Sequence, residues 1–444
     1  MNKKIRTTVA AMTLVMAFTA TLNQTLMVTA LPVLMKDLHV NLNTVQWLTT
    51  GYVLVLGIIT PISANLYQKF SNRKVFLSVI LVFLLGTVMG ASANSFGMIL
   101  IGRLLQASAG GILMSFMQIM LLEIFPNEDR GKVMGLVSLV VSLAPAIGPT
   151  LGGLIINAFN WRYLFILIMP ITVIIGILAI IFMPNVTAPK DIKLDVLSIL
   201  TSSLGLGSLM YGISIVSSNA LLGLIFIVVG LIGTGIFVRR QFKLATPMLN
   251  IGLLSQRSFA MMTVTALLVF GVLMGTETVM PLLIENTFHQ SALLAGLIML
   301  PGAFMLGILS PISGSYYDKH GMKGLFITGV ILTLISSIPF ILINQTTPLW
   351  LIIVTYMVRL TGISFLMSTT ITESLKELSG IDISFGTALN NSLRQIGGSL
   401  FNTIMIAISG LATVFMIGFQ WTMIFTLIIT ILIGLLGWSY LSKK

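Results

Sequence analysis

Apolar residues run through this chain in long blocks, each set off from the next by a short polar stretch, with little of the alternation that marks strands. A bilayer-crossing helix needs about 20 largely apolar residues, and the blocks have that length. The pattern predicts helices at about 7–33, 46–66, 75–94, 98–121, 133–155, 163–183, 196–216, 220–238, 258–284, 292–316, 324–343, 349–370, 386–409 and 419–440, fourteen in all. The first block follows Lys3, Lys4 and Arg6 as a secretory leader would, but it runs on to Pro32. That is too long for a leader's apolar region, so it reads as an uncleaved first span.

Composition agrees with the pattern. With 56% hydrophobic and 8% charged residues, a 444-residue soluble globule would lack polar surface, so the expected class is an all-α membrane protein. The net charge of +12 acquires meaning from its position. Nineteen Lys and Arg residues fall in the alternate loops and both tails, from Lys3, Lys69 and Arg73 to Lys319, Lys323 and Lys444, against Lys36 and Arg162 in the others. The bias places both termini in the cytoplasm and leaves no reading as a nucleic-acid binder. The chain has no cysteine, and His39, His289 and His320 all lie in predicted loops, so neither disulfides nor a metal site is expected. No G-x-x-x-x-G-K-[ST] stretch occurs. With no cofactor expected, any transport work must draw on an ion gradient.

Residues 61–76, P-I-S-A-N-L-Y-Q-K-F-S-N-R-K-V-F, recur 250 positions later as P-I-S-G-S-Y-Y-D-K-H-G-M-K-G-L-F, with six identities. Each copy joins two spans through a short basic hinge, so the chain carries two related halves. The organisation predicted is a six-helix bundle at 1–183, two inserted helices with flanking linkers at 184–257, and a second six-helix bundle at 258–444. Internal repeats of this kind occur in transporters that rock one half against the other.

Few ionisable residues fall inside the predicted spans. Glu277 is the one acid well within a helix, while Glu123 and Glu285 sit at span ends and Glu373 is read as a loop residue. Burial disfavours the charged form of a carboxyl group, which makes Glu277 the candidate proton carrier. The competing reading is a structural partner for an intramembrane arginine. Three such arginines are expected, Arg103, Arg359 and Arg394, and each needs a partner or a wet cavity. Arg103 shares a face with Gln106, and Asn390 shares one with Arg394, while Asn23, Gln24 and Tyr52 offer polar groups to a substrate. On the fifth span Gly135, Ser138, Ser142, Pro145, Pro149 and Gly152 form a stripe of small residues and prolines, suited to close helix approach.

The run A-P-A-I-G-P-T-L-G-G, with Pro145, Gly148, Pro149, Gly152 and Gly153, resembles the antiporter motif of the major facilitator superfamily. N-W-R-Y-L-F-I-L-I-M-P at 160–170, L-N-Q-T-L-M-V-T-A-L-P at 22–32, G-R-L-L-Q at 102–106 and G-T-A-L-N-N-S-L-R-Q-I-G-G at 386–398 resemble its 14-span drug:proton antiporter family. The resemblance implies a major facilitator fold of two six-helix bundles and a monomeric exporter in the bacterial plasma membrane that exchanges protons for amphipathic drugs. It also implies help from Arg103 in proton transfer and a gating role for the hinges. Lys69, Arg73, Asp318, Lys319 and Lys323 keep the hinge pattern. Gln68 replaces its usual Asp, and Asn23 stands where many relatives carry Asp. Two other readings stay open, a proton-coupled transporter of one metabolite and a polytopic sensor or lipid-modifying enzyme. The enzyme reading wants a catalytic cluster in the membrane, and none is found.

Overall fold

The computed structural model describes residues 3–442, apart from 41, 46, 190–194, 217, 218, 245, 246 and 248. Among the described residues all regular structure is helical. Inside a bilayer no water can satisfy backbone N–H and C=O groups, and a helix satisfies them internally. The principal helices are α1 (Lys3–Leu26), α2 (Trp47–Ile59), α3 (Asn72–Ala91), α4 (Phe96–Ile124), α5 (Arg130–Ala158), α6 (Ile168–Phe182), α7 (Val196–Ile215), α8 (Ala220–Gln241), α9 (Arg257–Asn286), α10 (Ala292–His320), α11 (Lys323–Ile341), α12 (Leu349–Leu375), α13 (Ile381–Gly410) and α14 (Phe415–Leu441).

Twelve helices among the described residues are long and apolar enough to cross a membrane. All fourteen expected segments are helical, and by length and apolar content twelve of them qualify as spans, so the count of fourteen spans is not confirmed. Segment 46–66 yields the shorter α2, which passes through a 3-10 turn, Thr60–Ile62, at Pro61 into a further helical stretch, Ser63–Lys69. Segment 386–409 forms the long α13, whose Asn390, Asn391, Arg394, Gln395 and Asn402 dilute its apolar character. Side-chain caps begin several helices, as where Ser95 accepts from the Met98 N–H at 3.4 Å and Asn219 from that of Leu222 at 3.1 Å. Gly321, at φ +75°, ends α10 in the left-handed region that glycine enters without strain. Large aliphatic side chains line the outside, among them Leu81, Ile177, Leu221 and Ile308, as a lipid-facing surface requires.

Packing divides the chain into two compact units, one of Met1–Phe125, Leu151–Ile251 and Gly380–Ser392, the other of Pro126–Thr150, Gly252–Ser379 and Leu393–Lys444. In the first, α3 and α4 meet backbone to backbone, since a Cβ on Gly102 would lie 2.7 Å from the Gly86 carbonyl oxygen. The second repeats the device in α11 and α12, where a Cβ on Gly362 would lie 2.8 Å from the Gly329 oxygen.

The inserted helices α7 and α8 belong to the first unit and pack on glycine as well, with a Cβ on Gly233 falling 2.9 Å from the Gly205 Cα. Their ends are pinned together. Arg240 donates Nε and Nη2 to Asp195 at 2.8 and 2.9 Å, and Gln241 Nε2 donates to Ser198 Oγ at 2.7 Å. The pair docks on α2, where the Tyr211 ring lies 5.3 Å from Trp47.

In the second unit the first part of α5 lies against α10. A Cβ on Gly135 would fall 2.7 Å from the Pro311 Cα, one on Gly314 would meet the Gly131 backbone, and one on Gly296 would fall 3.1 Å from the Thr150 Cα. Small residues thus line this contact along its length, as the stripe on the fifth span predicts. Farther along α5, Gly152 meets Leu26 of α1 within the first unit, whereas Gly153 faces open space. The side chains of Ser138 and Ser142 lie outside the described residues.

Gly135→Val forces two helix backbones apart and is expected to cost about 1–3 kcal/mol, read as a lower unfolding midpoint of the detergent-purified protein. At the feet of α7 and α8, hydrogen bonding from Arg240 holds the Asp195 carboxyl down at about 2, below its ordinary 3.8. The stability from that pair is therefore fully present above pH 3.8 and drains as pH falls toward 2. Asp195→Asn should lower the melting temperature at pH 7 and narrow the gap to wild type at the acid end of a melting series.

Candidate functional site

Each unit buries an arginine, and each solves the desolvation problem without a carboxylate. In the first unit Arg103 of α4 is fully buried. Its Nη1 donates to the Asn23 carbonyl at 2.9 Å and to Gln106 Oε1 at 3.3 Å, its Nη2 to the Gln24 carbonyl at 3.4 Å, and its Nε to the Leu48 carbonyl at 3.3 Å. Asn23 and Gln24 lie in the last turn of α1, where carbonyls lack intrahelical donors and the helix dipole is negative. A guanidinium there finds both acceptors and favourable charge. Its flat face rests 4.2 Å above the Tyr52 ring, and the Tyr52 hydroxyl donates to the Ala20 carbonyl at 3.1 Å. Gln106 Nε2 donates in turn to Thr87 Oγ1 at 2.9 Å.

Five polar residues singled out in the sequence, Asn23, Gln24, Tyr52, Arg103 and Gln106, therefore converge. Their polar atoms are largely spent on one another and on α1. The Asn23 Nδ2 is buried and carries no hydrogen bond.

The second unit holds the acid. Arg359 of α12 is fully buried and gives Nε to Thr276 Oγ1 at 3.2 Å, Nη1 to Ser337 Oγ at 3.1 Å and Nη2 to Thr426 Oγ1 at 2.8 Å. Three neutral hydroxyls from α9, α11 and α14 thus share the cation. Glu277 follows Thr276 on α9, and among the described residues no salt bridge joins it to a guanidinium. Its Oε1 is shut off from solvent and has no hydrogen-bond partner. One turn before Arg359, Tyr356 is buried with its hydroxyl also unpartnered, and it lies within electrostatic range of both Glu277 and Arg359. Pro281, one turn beyond Glu277, supplies no N–H to the Glu277 carbonyl, which loosens α9 at this level. An acid, a phenol and a satisfied cation thus line one level of the unit.

The remaining candidates fall elsewhere. Asn390 is buried in the first unit, where its neighbour Asn391 donates Nδ2 to Ser115 Oγ at 3.2 Å. Arg394 belongs to the second unit and sits 5.6 Å from the Phe270 ring centroid. In the hinges, Asp318 accepts from the Gly131 and Lys132 backbone N–H groups at 2.9 and 3.0 Å, so it caps the N-terminus of α5. Arg73 donates to the Ile180 carbonyl near the end of α6, and Asn72 Oδ1 accepts from the N–H groups of Val186 and Thr187. Gln68 is buried with its Nε2 unpartnered, and Lys69 Nζ lies 5.8 Å from the Phe70 ring. Lys319 and Lys323 stand on either side of the turn at Gly321, both exposed.

Glu373 does not lie in a loop, contrary to the expectation from the apolar pattern. It stands in the last turn of α12, only 2% exposed, and accepts hydrogen bonds from Tyr317 and from Tyr440, the latter at 2.8 Å.

The model of the Major Facilitator Superfamily matches residues 13–402. The chain belongs to that superfamily. An uncharacterized MFS-type transporter of Bacillus subtilis strain 168, YcnB, is 42% identical over 406 residues, covering 91% of this chain and 86% of the relative. The lincomycin resistance protein LmrB of the same organism is 32% identical over 404 residues, covering 89% and 84%. Among solved structures, the proton:xylose symporter XylE superposes with a TM-score of 0.68 at 13% identity, over 99% of this chain and 96% of that one, a likeness of fold. The protein is a multi-pass membrane transporter and not an enzyme, as its superfamily and relatives establish.

The three-hydroxyl seat of Arg359 carries its own expectation. Thr426→Val strips one acceptor from a buried cation and should cost about 1–3 kcal/mol. The check is a lower unfolding midpoint for Thr426→Val than for Ile428→Val, a control on the same helix at an exposed position of the apolar outer surface.

Proposed function

We propose that this transporter is a proton-coupled exporter of amphipathic drugs that works by alternating access, with Glu277 as its proton carrier. The observation that carries the reading is Glu277 itself, a shielded carboxyl oxygen without a hydrogen-bond partner beside an unpartnered buried phenol, while the nearby arginine is satisfied by hydroxyls. An acid locked in an ion pair has little to exchange. One with open valence can hold a proton on one side of the membrane and a cationic cargo on the other.

In this reading the ionised Glu277 binds the positive end of the cargo, and the Tyr356 hydroxyl adds a hydrogen bond. Protonation of Glu277 removes the attraction and the cargo leaves. The proton gradient is the sole energy source, and no cofactor takes part. One charge crossing about 100 mV supplies roughly 2.3 kcal/mol, enough for about a 50-fold concentration ratio. The names of two relatives support drugs as cargo: LmrB, and the multidrug transporter MdtP of Bacillus subtilis, 29% identical over 71% of this chain and 59% of its own length. The basic loops support a cytoplasmic placement of both termini.

A riboflavin transporter, RibZ of Clostridioides difficile, is 24% identical over 76% of the chain and supports the rival reading of a single-metabolite transporter. Resistance profiling of cells with and without the protein against a drug panel separates the two. For the carrier, Glu277→Gln should abolish dye efflux driven by a pH step in proteoliposomes while the purified protein keeps its elution profile. Transport that persists unchanged removes Glu277 from the role.

A further inference from the structure

One line of side chains along the inserted helix α8 changes character at the C-terminal end. Val228, Ile232 and Ile236 are each more than half exposed, four residues apart on one face. Further steps of three and four residues carry the same face on to Arg239 and Lys243, both exposed. Lys243 extends the last turn, its N–H donating to the Arg240 carbonyl at 2.9 Å. Beside it the Phe242 ring is 64% exposed. A Cβ built on Gly235 would meet nothing within 4 Å, so the surface one turn before Arg239 is open.

Charge at this foot is unevenly matched. Arg240 is held by Asp195 at 2.8 and 2.9 Å, whereas among the described residues no salt bridge joins Arg239 or Lys243 to an acid. Long stems let both cations reach past the last carbonyls of α8. The N-terminus of α7, fastened alongside through Asp195, sets its positive dipole end against the negative end of α8. Phe242 has the ring chemistry that settles at the headgroup level of a bilayer. A cation pair above an aliphatic strip matches a molecule with an anion at one end and hydrocarbon at the other. A second copy of the chain docked here about an axis along the membrane normal would bring Arg239 and Lys243 against their own counterparts at the same depth, like charge against like.

We propose that the C-terminal foot of α8 binds one anionic phospholipid, its phosphate held between Arg239 and Lys243 and its acyl chains laid along Ile236, Ile232 and Val228. The planar guanidinium supplies paired N–H donors to the phosphate oxygens, and the ammonium adds a point charge. Each basic side chain at the membrane surface favours an anionic over a zwitterionic lipid by about fivefold. The site uses none of the residues assigned to the proton or the cargo.

The absence of cysteine makes the test direct, because each introduced cysteine is the only one. Gly235→Cys carries a bimane fluorophore beside the proposed site, and Ile177→Cys, on the exposed face of α6, carries it on a helix with no basic residue in its last turn. Each labelled protein is reconstituted in phosphatidylcholine vesicles containing a fixed fraction of either phosphatidylglycerol or phosphatidylcholine with brominated acyl chains, which quench bimane on contact. At position 235 brominated phosphatidylglycerol should quench more strongly than brominated phosphatidylcholine. Arg239→Gln or Lys243→Gln should each lower that preference by about fivefold, and Arg239→Lys, which keeps the charge, should preserve most of it. Equal quenching by the two lipids at position 235 overturns the site. So does a preference that survives Arg239→Gln combined with Lys243→Gln, or one of the same size at position 177, which marks a general attraction to the basic side of the protein. Oxidation of unlabelled Gly235→Cys to a disulfide-linked dimer in lipid-rich vesicles places a second copy on this face and overturns it as well.

Discussion

A charge inside a bilayer must be matched before the helices around it can close, and the means of matching sets what the charge can do. An arginine paired with an acid uses up both. Here two buried guanidiniums are matched by neutral groups, Arg103 by carbonyls at the end of α1 and of Leu48, and Arg359 by the hydroxyls of Thr276, Ser337 and Thr426. Three hydroxyls fill the donor sites of Arg359, and Glu277 keeps an oxygen without a hydrogen-bond partner.

The halves share a plan and differ in charge. Glycine contacts between α3 and α4 recur between α11 and α12, and each half places a tyrosine against an acid at a helix end. The acid at the level of the buried arginine belongs to the second half, while the corresponding region of the first offers Asn23 and Gln106. The hinges diverge in the same sense, Asp318 capping a helix where the first copy has Gln68. The two copies thus keep a common scaffold, and at the hinge the second carries Asp318 where the first carries Gln68.

Most of the helices were legible because long apolar runs have few other ways to fold in lipid. Glu277 stood out for the related reason that an acid in such a run is rare. Glu373 did not, because the run weakens at S-T-T-I-T-E-S and the helix still continues. Ser368 aside, the hydroxyls there turn back on their own helix: Thr369, Thr370, Thr372 and Ser374 each donate to a carbonyl three or four residues earlier, so a polar stretch behaves as an apolar one. The seat of Arg359 was likewise hidden. Its three acceptors lie 83, 22 and 67 residues away, and only the packing of α9, α11 and α14 around α12 assembles them.

The ion pair between Asp195 and Arg240 bears on how such a chain tolerates extra helices. It fastens the two feet of the α7–α8 hairpin side by side through a 2.8 Å N–O contact, so the polypeptide returns close to the place from which it departed. A detour that closes on itself leaves the route of everything downstream unaltered. The hairpin can therefore be carried as an outrigger, free to change its lipid-facing surface without re-routing either repeat.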